Sequence, residues 1–195
     1  MERDELCSSG KVFVEDERYV LSRYEVAEQD LYLMVWNETF ESTPMFQNEK
    51  FKQKAWDDVL LDTTKLQLKI IDKLEQEYVG EVTLMKIDTE TPELGIQLLR
   101  KYQEQGIGTR VMNLFIDKLK SVLQIEFFVI RIISDNYVSQ KMFEKMGAIK
   151  IGEEGKEYAE MMRKIMQDFG DKFEEVMKED FEKTKRYIIW YKLEV

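Results

Sequence analysis

The run EFFVIRIIS, residues 126–134, is apolar at almost every position. A strand of that composition has no polar face to turn to water, so it must be buried on both sides. That demand alone puts helices above and below a sheet. The flanking sequence supplies them. Before the run, residues 109–122 carry Val111, Phe115 and Leu119 on one helical stripe. After it, DNYVSQKMFEKMG reads as a helix opened by Asp135 or Asn136 and ended by Gly147.

The rest of the chain has the same mixed character. KVFVEDERYVLSRYEV alternates and is rich in β-branched and aromatic residues, giving one or two strands broken near residues 15–17. AEQDLYLMVWNETF reads as a helix with Leu31, Val35 and Trp36 inward, and EKFKQKAWDDVLLD as a second helix beyond Pro44. LQLKIID and EYVGEVTLMKID read as strands, Pro92 precedes another over 94–100, and AIKIG and RYIIWYKLEV supply the last two. Between these two, over 156–185, Tyr158, Met161, Met162, Ile165, Phe169, Phe173, Val176, Met177 and Phe181 repeat at helical spacing. Gly170 divides this insertion into two helices and Asp171 caps the second. It reads as a hairpin packed on the body or as a substrate lid, and its Met- and Phe-rich stripe is a candidate homodimer surface. Residues 1–195 read as one domain with this insertion.

Composition narrows function by exclusion. A net charge of −10 argues against a nucleic-acid partner. No apolar run approaches the roughly 20 residues of a membrane span, and the acidic start MERDELCSSGK lacks the apolar centre of a signal peptide. One cysteine, Cys7, excludes an internal disulfide and suits a reducing cytoplasm. The count of histidine is 0, which removes every Ser–His triad, His-ligated metal site and imidazole base. Carboxylates, Tyr, Lys or Cys7 must move any proton, and no metal is expected.

The stretch QEQGIGT, residues 103–109, lies between a strand and a helix. Gly106 and Gly108 let backbone N–H groups approach a ligand, and the helix that follows aims its unpaired N–H groups and positive dipole end at the same space. Such a concavity suits a pyrophosphate. Neither the six-residue G-x-G-x-x-G pattern, which fails at Val111, nor a nucleotide loop ending in Gly-Lys-Ser/Thr is present.

The order Gln103-x-x-Gly106-x-Gly108, buried strand, then Asn136-x-x-Ser139 opening a helix that ends FEKMGA, resembles the GNAT superfamily of acetyl-CoA-dependent N-acetyltransferases. Within it, PELGIQLLRKYQEQGIGTRVMNLF is most similar to the Rim-type N-acetyltransferases and their relatives acting on small amines. The resemblance is specific over 78–152, looser over 12–62, and absent from the insertion. It implies an α/β (α+β) fold: a mixed, mostly antiparallel twisted sheet of six to seven strands, splayed at its centre and flanked by helices. It also implies acetyl-CoA as co-substrate and a primary amine as acceptor, either a small molecule or a peptide or protein N-terminus.

Carried over by residue, the resemblance has Gln103 open the cofactor loop. The backbone N–H groups of Gln105, Gly106, Ile107, Gly108 and Thr109 go to the pyrophosphate. Leu98, Leu99 and Arg100 lie at the splay beside the pantetheine arm, with the Leu98 N–H polarising the thioester carbonyl. Asn136 bonds the pantetheine, and Ser139 and Lys141 lie near its thiol end or the phosphates. The loop side chains Gln103, Glu104 and Gln105 bring no positive charge where relatives often carry it, so Arg100, Lys101, Arg110 and Lys141 are the nearest cations. Phe143 stands where many relatives reprotonate the leaving thiolate with Tyr, which leaves Ser139 or a water for that step. The amine needs a base: Glu93 at the start of the central strand is the first expectation, and Glu81 on its neighbour the second. Tyr78, Trp36 and Met34 are candidates to line the acceptor site. The loss of Tyr at Phe143 and the absence of histidine also admit a non-catalytic acyl-CoA-binding module.

Overall fold

The computed structural model describes residues 11–40, 48–154 and 186–195. Cys7 and the insertion 156–185, with its expected hairpin and dimer stripe, lie outside the described residues. The elements run β1 (Val12–Glu15), β2 (Tyr19–Arg23), α1 (Gln29–Phe40), α2 (Glu49–Leu61), β3 (Leu66–Asp72), β4 (Glu77–Met85) and β5 (Glu93–Leu98). They continue with α3 (Ile107–Val122), β6 (Phe127–Ile133), α4 (Tyr137–Lys145), β7 (Ile149–Glu154) and β8 (Ile188–Glu194). The sheet has eight strands in the order β1-β2-β3-β4-β5-β6-β8-β7. Every neighbouring pair is antiparallel except β5 with β6, which is parallel.

The strand count exceeds the six to seven expected because the first alternating stretch folds back on itself. The Asp16 carboxylate accepts from the N–H groups of Arg18 (2.8 Å) and Tyr19 (2.7 Å), and the Asp16 N–H donates to the Tyr19 carbonyl at 3.0 Å. This Asp-nucleated turn splits the stretch into β1 and β2. The strand expected over 94–100 also ends early: after Leu98 the backbone enters a single 3-10 turn, Arg100–Tyr102. The apolar run behaves as its composition demands. Phe128, Val129, Ile130 and Ile132 of β6 are buried, and the strand lies between β5 and β8.

Two cores occupy the two faces of the sheet. The larger joins Val111, Met112, Phe115 and Leu119 of α3 and Phe143 of α4 to Leu68, Ile70, Val82, Leu84, Phe128 and Ile130. The smaller is aromatic: Tyr24, Tyr32, Trp56 and Tyr78 pack with Val35 and Leu99 beneath α1 and α2. Alternation along β4 sends Val82 and Leu84 to the first core and Glu81 to the second. Among the described residues, no helix is long and apolar enough to cross a membrane.

One irregularity controls what β4 presents. Its register with β3 runs Ile70↔Gly80 and then Ile71↔Tyr78, so Val79 is an extra residue. Residues three apart on a regular strand face opposite sides, but this bulge brings Tyr78 and Glu81 to the same, aromatic face. Gly80 permits it. Its φ is +152°, and a Cβ there would stand 2.1 Å from the Gln97 carbonyl oxygen. A Cβ at Gly95 would crowd the Thr83 hydroxyl, at 2.4 Å, and a side chain can rotate away. Gly80→Ala is therefore expected to cost roughly 3 kcal/mol and Gly95→Ala about 1 kcal/mol in urea unfolding. Equal losses would remove the bulge as the special point of β4.

Candidate functional site

The parallel pair β5–β6 is joined at its start. Glu93 is in register with Val129, and the Val129 N–H donates to the Pro92 carbonyl at 3.0 Å. No later register pair joins the two strands, so they part toward their C-terminal ends. On its other edge β5 stays paired with β4 as far as Leu98↔Gly80, and the Leu99 N–H donates to the Val79 carbonyl at 3.0 Å. Successive N–H groups of a strand alternate in direction. Since Leu99 points to β4, the Leu98 N–H points away from it, toward the parting.

Past the parting the chain makes the loop and then α3. The Leu98 carbonyl accepts from the Gln103 amide at 2.9 Å, and the Lys101 carbonyl accepts from the Gln105 amide at 2.5 Å. The side chains of Gln103 and Gln105 thus brace the loop from within. Glu104 (φ +58°) and Gly106 (φ +77°) are both left-handed, a curl that turns successive N–H groups to one side. Gly106 has no capping side chain, and the first helical bond runs from the Arg110 N–H to the Gly106 carbonyl at 3.2 Å. The N–H groups of Ile107, Gly108 and Thr109 therefore have no partner inside the helix. A Cβ on Gly106 would meet nothing within 4 Å, whereas one on Gly108 would lie 2.8 Å from the Met142 sulfur of α4. Gly106 borders open space, and Gly108 lets the two helix starts pack side by side.

The cations around this loop are largely engaged. Arg100 donates its N–H to the Glu38 carboxylate (2.6 Å) and its guanidinium to the Glu38 carbonyl (2.8 Å), which turns it toward α1. Lys101 pairs with Glu77 at 2.6 Å, a bond that holds its ammonium pKa up at about 12. Arg110 bonds Asp16 at 2.8 Å and also pairs with Glu17. Lys141 is exposed and forms no ion pair with a described residue. Of the segment Leu98, Leu99 and Arg100, only Leu98 turns its N–H to the parting: Leu99 is 2% exposed in the aromatic core, and the Arg100 N–H is taken.

On α4, Asn136 is the N-cap, its side-chain oxygen accepting from the Ser139 N–H at 3.1 Å. Its amide NH2 keeps two donors. Ser139 is half-buried one turn before Phe143, which is 2% exposed in the larger core.

The two expected bases occupy very different places. Glu93 is 1% exposed at the closed end of the parting, between Lys86 and Arg131 (2.7 Å). Five residues of strand, about 16 Å, separate it from Leu98. Glu81 is in register with Gln97, directly beside Leu98. It is 2% exposed, and burial pushes its carboxyl above the ordinary 4.5. Tyr24 donates to one oxygen at 2.8 Å and the Trp36 indole to the other at 3.0 Å, with Gln67 also bonded. The Tyr24 and Tyr78 hydroxyls are 2.9 Å apart. Burial, then the Glu81 charge, drives both tyrosines far above 10.0, so both stay protonated. Tyr32 packs its ring against Tyr24, Trp36 and Trp56 at centroid distances of 6.1, 5.4 and 5.7 Å. Trp36 and Tyr78 both lie in this packed aromatic cluster, while Met34 is exposed on α1. Tyr24 and Gln67 were not legible as partners of Glu81; the only hint was Val-Gly at positions 79–80, a dipeptide that suits a bulge.

The fold also has counterparts in known proteins. A family model described as an acetyltransferase (GNAT) domain matches residues 16–149. The structure of the Microcin C7 self-immunity acetyltransferase MccE in complex with acetyl-CoA and AMP superposes with a TM-score of 0.61 at 22% identity, covering 72% of this chain and 83% of that one. Spermidine N-acetyltransferase from Vibrio cholerae, in complex with CoA and spermine, gives 0.58 at 16% identity over 70% and 84% of the two chains. Ribosomal-protein-S5-alanine acetyltransferase from Vibrio fischeri gives 0.58 at 20% identity over 72% and 85%. At the level of sequence, no curated protein matches. With the family model spanning more than half its length, the chain belongs to the GNAT acetyltransferase family, a family of acyltransferases.

Proposed function

We propose that this chain transfers the acetyl group of acetyl-CoA to a primary amine, with both substrates bound at once. The observation that carries the reading is the adjacency of an outward Leu98 N–H on the parting edge of β5 and buried Glu81 one register step away. An acyl carbonyl needs the first and a protonated amine needs the second. The donors fit acetyl-CoA: unpartnered first-turn N–H groups at Ile107, Gly108 and Thr109, the curl at Gln105 and Gly106, and open space over Gly106.

When bound, acetyl-CoA supplies an activated thioester. The loop N–H groups hold its pyrophosphate, with Lys141 as the available cation. The Asn136 NH2 bonds the pantetheine, and the Leu98 N–H donates to the thioester oxygen. Glu81 takes the amine proton rather than Glu93, which is committed to two cations and lies about 16 Å along the strand. Both Glu81 oxygens are covered, so the proton travels through hydroxyls: Tyr78 receives it and passes its own to Tyr24, which passes its own to Glu81. Ser139 relays to the leaving thiolate the second proton that the nitrogen sheds as the amide forms, so its own hydroxyl ends protonated. The acceptor classes to test are a polyamine and an alanine-terminated peptide, the latter in keeping with the Rim-type resemblance. The lone cysteine suits work in the cytoplasm.

Acetyl-CoA at about 100 times its Kd is expected to raise the melting temperature by roughly 5–10 °C. Gly106→Val should abolish that rise, because its side chain fills the space over the loop. No rise in the wild type would sink the assignment. With spermidine or an alanyl peptide, Glu81→Gln should lower kcat/KM by about 10²–10⁴-fold while keeping the acetyl-CoA shift. Wild-type kcat/KM should fall as pH drops through a value above 4.5, since burial raises Glu81 and only its ionised form accepts the proton. Glu93→Gln should melt at lower temperature yet retain turnover; the reverse pattern would return the base to Glu93. Binding of acetyl-CoA without transfer to any amine would favour a non-catalytic acyl-CoA-binding module.

A further inference from the structure

Gln97 has a role that the reaction outline does not use. It is the last residue but one of β5, in register with Glu81, so both side chains leave the sheet on the aromatic face. Leu99, two residues on, shares that face and lies in the aromatic core. The Gln97 side chain thus stands between the Glu81 network and the end of the strand, and the next N–H along, that of Leu98, turns to the parting.

Its surroundings are polar and well satisfied, yet Gln97 takes no part in them. The Glu81 oxygens are covered by Tyr24, Trp36 and Gln67, and Tyr24 and Tyr78 bond one another. On the cross-strand neighbour of Glu81 in β3, Lys69 is paired with Glu28. The Gln97 side-chain oxygen is shut off from solvent and has no hydrogen-bond partner among the described residues. A buried amide oxygen left unpaired carries an uncompensated desolvation penalty.

We propose that Gln97 is a positioning residue for the acceptor: its side-chain oxygen is turned inward and unpaired in the free protein, and on acceptor entry the half-buried amide rotates so that this oxygen receives an N–H of the substrate amine and holds the nitrogen between the Glu81 network and the carbonyl polarised by Leu98. The inference rests on the acetyl-transfer reading. An amine donates more than one N–H, so one hydrogen can go to Gln97 while another leaves toward Tyr78. Bonding to an amide oxygen also aims the nitrogen lone pair, which a purely apolar wall does not. The site therefore favours acceptors with at least two N–H groups on the attacking nitrogen and disfavours secondary amines.

The test uses the full chain carrying Gln97→Met, which keeps length and loses both hydrogen-bonding groups, and Gln97→Leu as a second apolar replacement. Melting temperature, the acetyl-CoA thermal shift, and steady-state kinetics with spermidine and an alanyl peptide amide are measured on each. The expected result is an unchanged or raised melting temperature, acetyl-CoA binding within twofold of wild type, and kcat/KM for the amine lowered about 10- to 100-fold, with most of the loss in kcat. A matching N-methylated amine should lose less from the substitution than its primary parent. A lowered melting temperature with undiminished turnover in both variants would make Gln97 a structural residue and overturn the proposal. Wild-type protein that binds acetyl-CoA but acetylates neither amine would overturn it together with the transfer reading. Normal wild-type transfer with unaffected variants would overturn it alone.

Discussion

Glu93, buried between Lys86 and Arg131, clasps β5 to β6 at the one place where these parallel strands are in register. Everything distinctive about the molecule follows from the pair being closed there and open beyond. Because β5 remains bonded to β4, its free edge faces the parting, and backbone donors that a continuous sheet would consume are left for a ligand. Because each strand is followed by a helix, two helix starts converge at the open end. Glu93, one of two candidate bases in the sequence, is thus held in ion pairs at the closed end. Arg131 and Lys86 also flank the Trp190 ring, at 5.7 and 5.9 Å, which ties the same clasp to β8.

Charge is distributed with similar economy. The chain carries a net −10, and the loop that suits a polyanion spends its neighbouring cations on carboxylates: Arg100 on Glu38, Lys101 on Glu77, Arg110 on Asp16 and Glu17. Those pairs brace the loop against α1, β4 and the β1–β2 turn. On the proposed reading, anion affinity then rests on oriented N–H groups, which need no counter-ion and lose no side-chain entropy on binding. On the opposite face, burial does the corresponding work for Glu81. Its three partners are neutral donors, so its charge is solvated by hydroxyl, indole and amide dipoles instead of being cancelled by an ion pair.

Local sequence went a long way. The doubly apolar run at 126–134, the capped helix after it and the glycines of QEQGIGT are short-range signals, and each forms the element it suggests. Asn136 as the cap of α4 and Gly147 as its end follow from residue chemistry within a few positions. The Asp16 turn and the early end of β5 were less clear, because side-chain bonding in the first case and the demands of the loop in the second decided the boundary.

What sequence alone determined, then, is the order of elements, the sheet buried on both faces and the loop of unpaired N–H groups, since these depend on periodicity, capping and backbone freedom. What only the tertiary structure decided is the surroundings of the two candidate carboxylates. Glu81 and Glu93 look alike as strand glutamates. They are separated by a bulge at Val79, which turns Glu81 into an aromatic cluster built from β2, α1, α2 and β4, and by the approach of Lys86 and Arg131 to Glu93. Both effects join residues far apart in the chain, and burial and pairing, not residue type, set what a carboxylate can do.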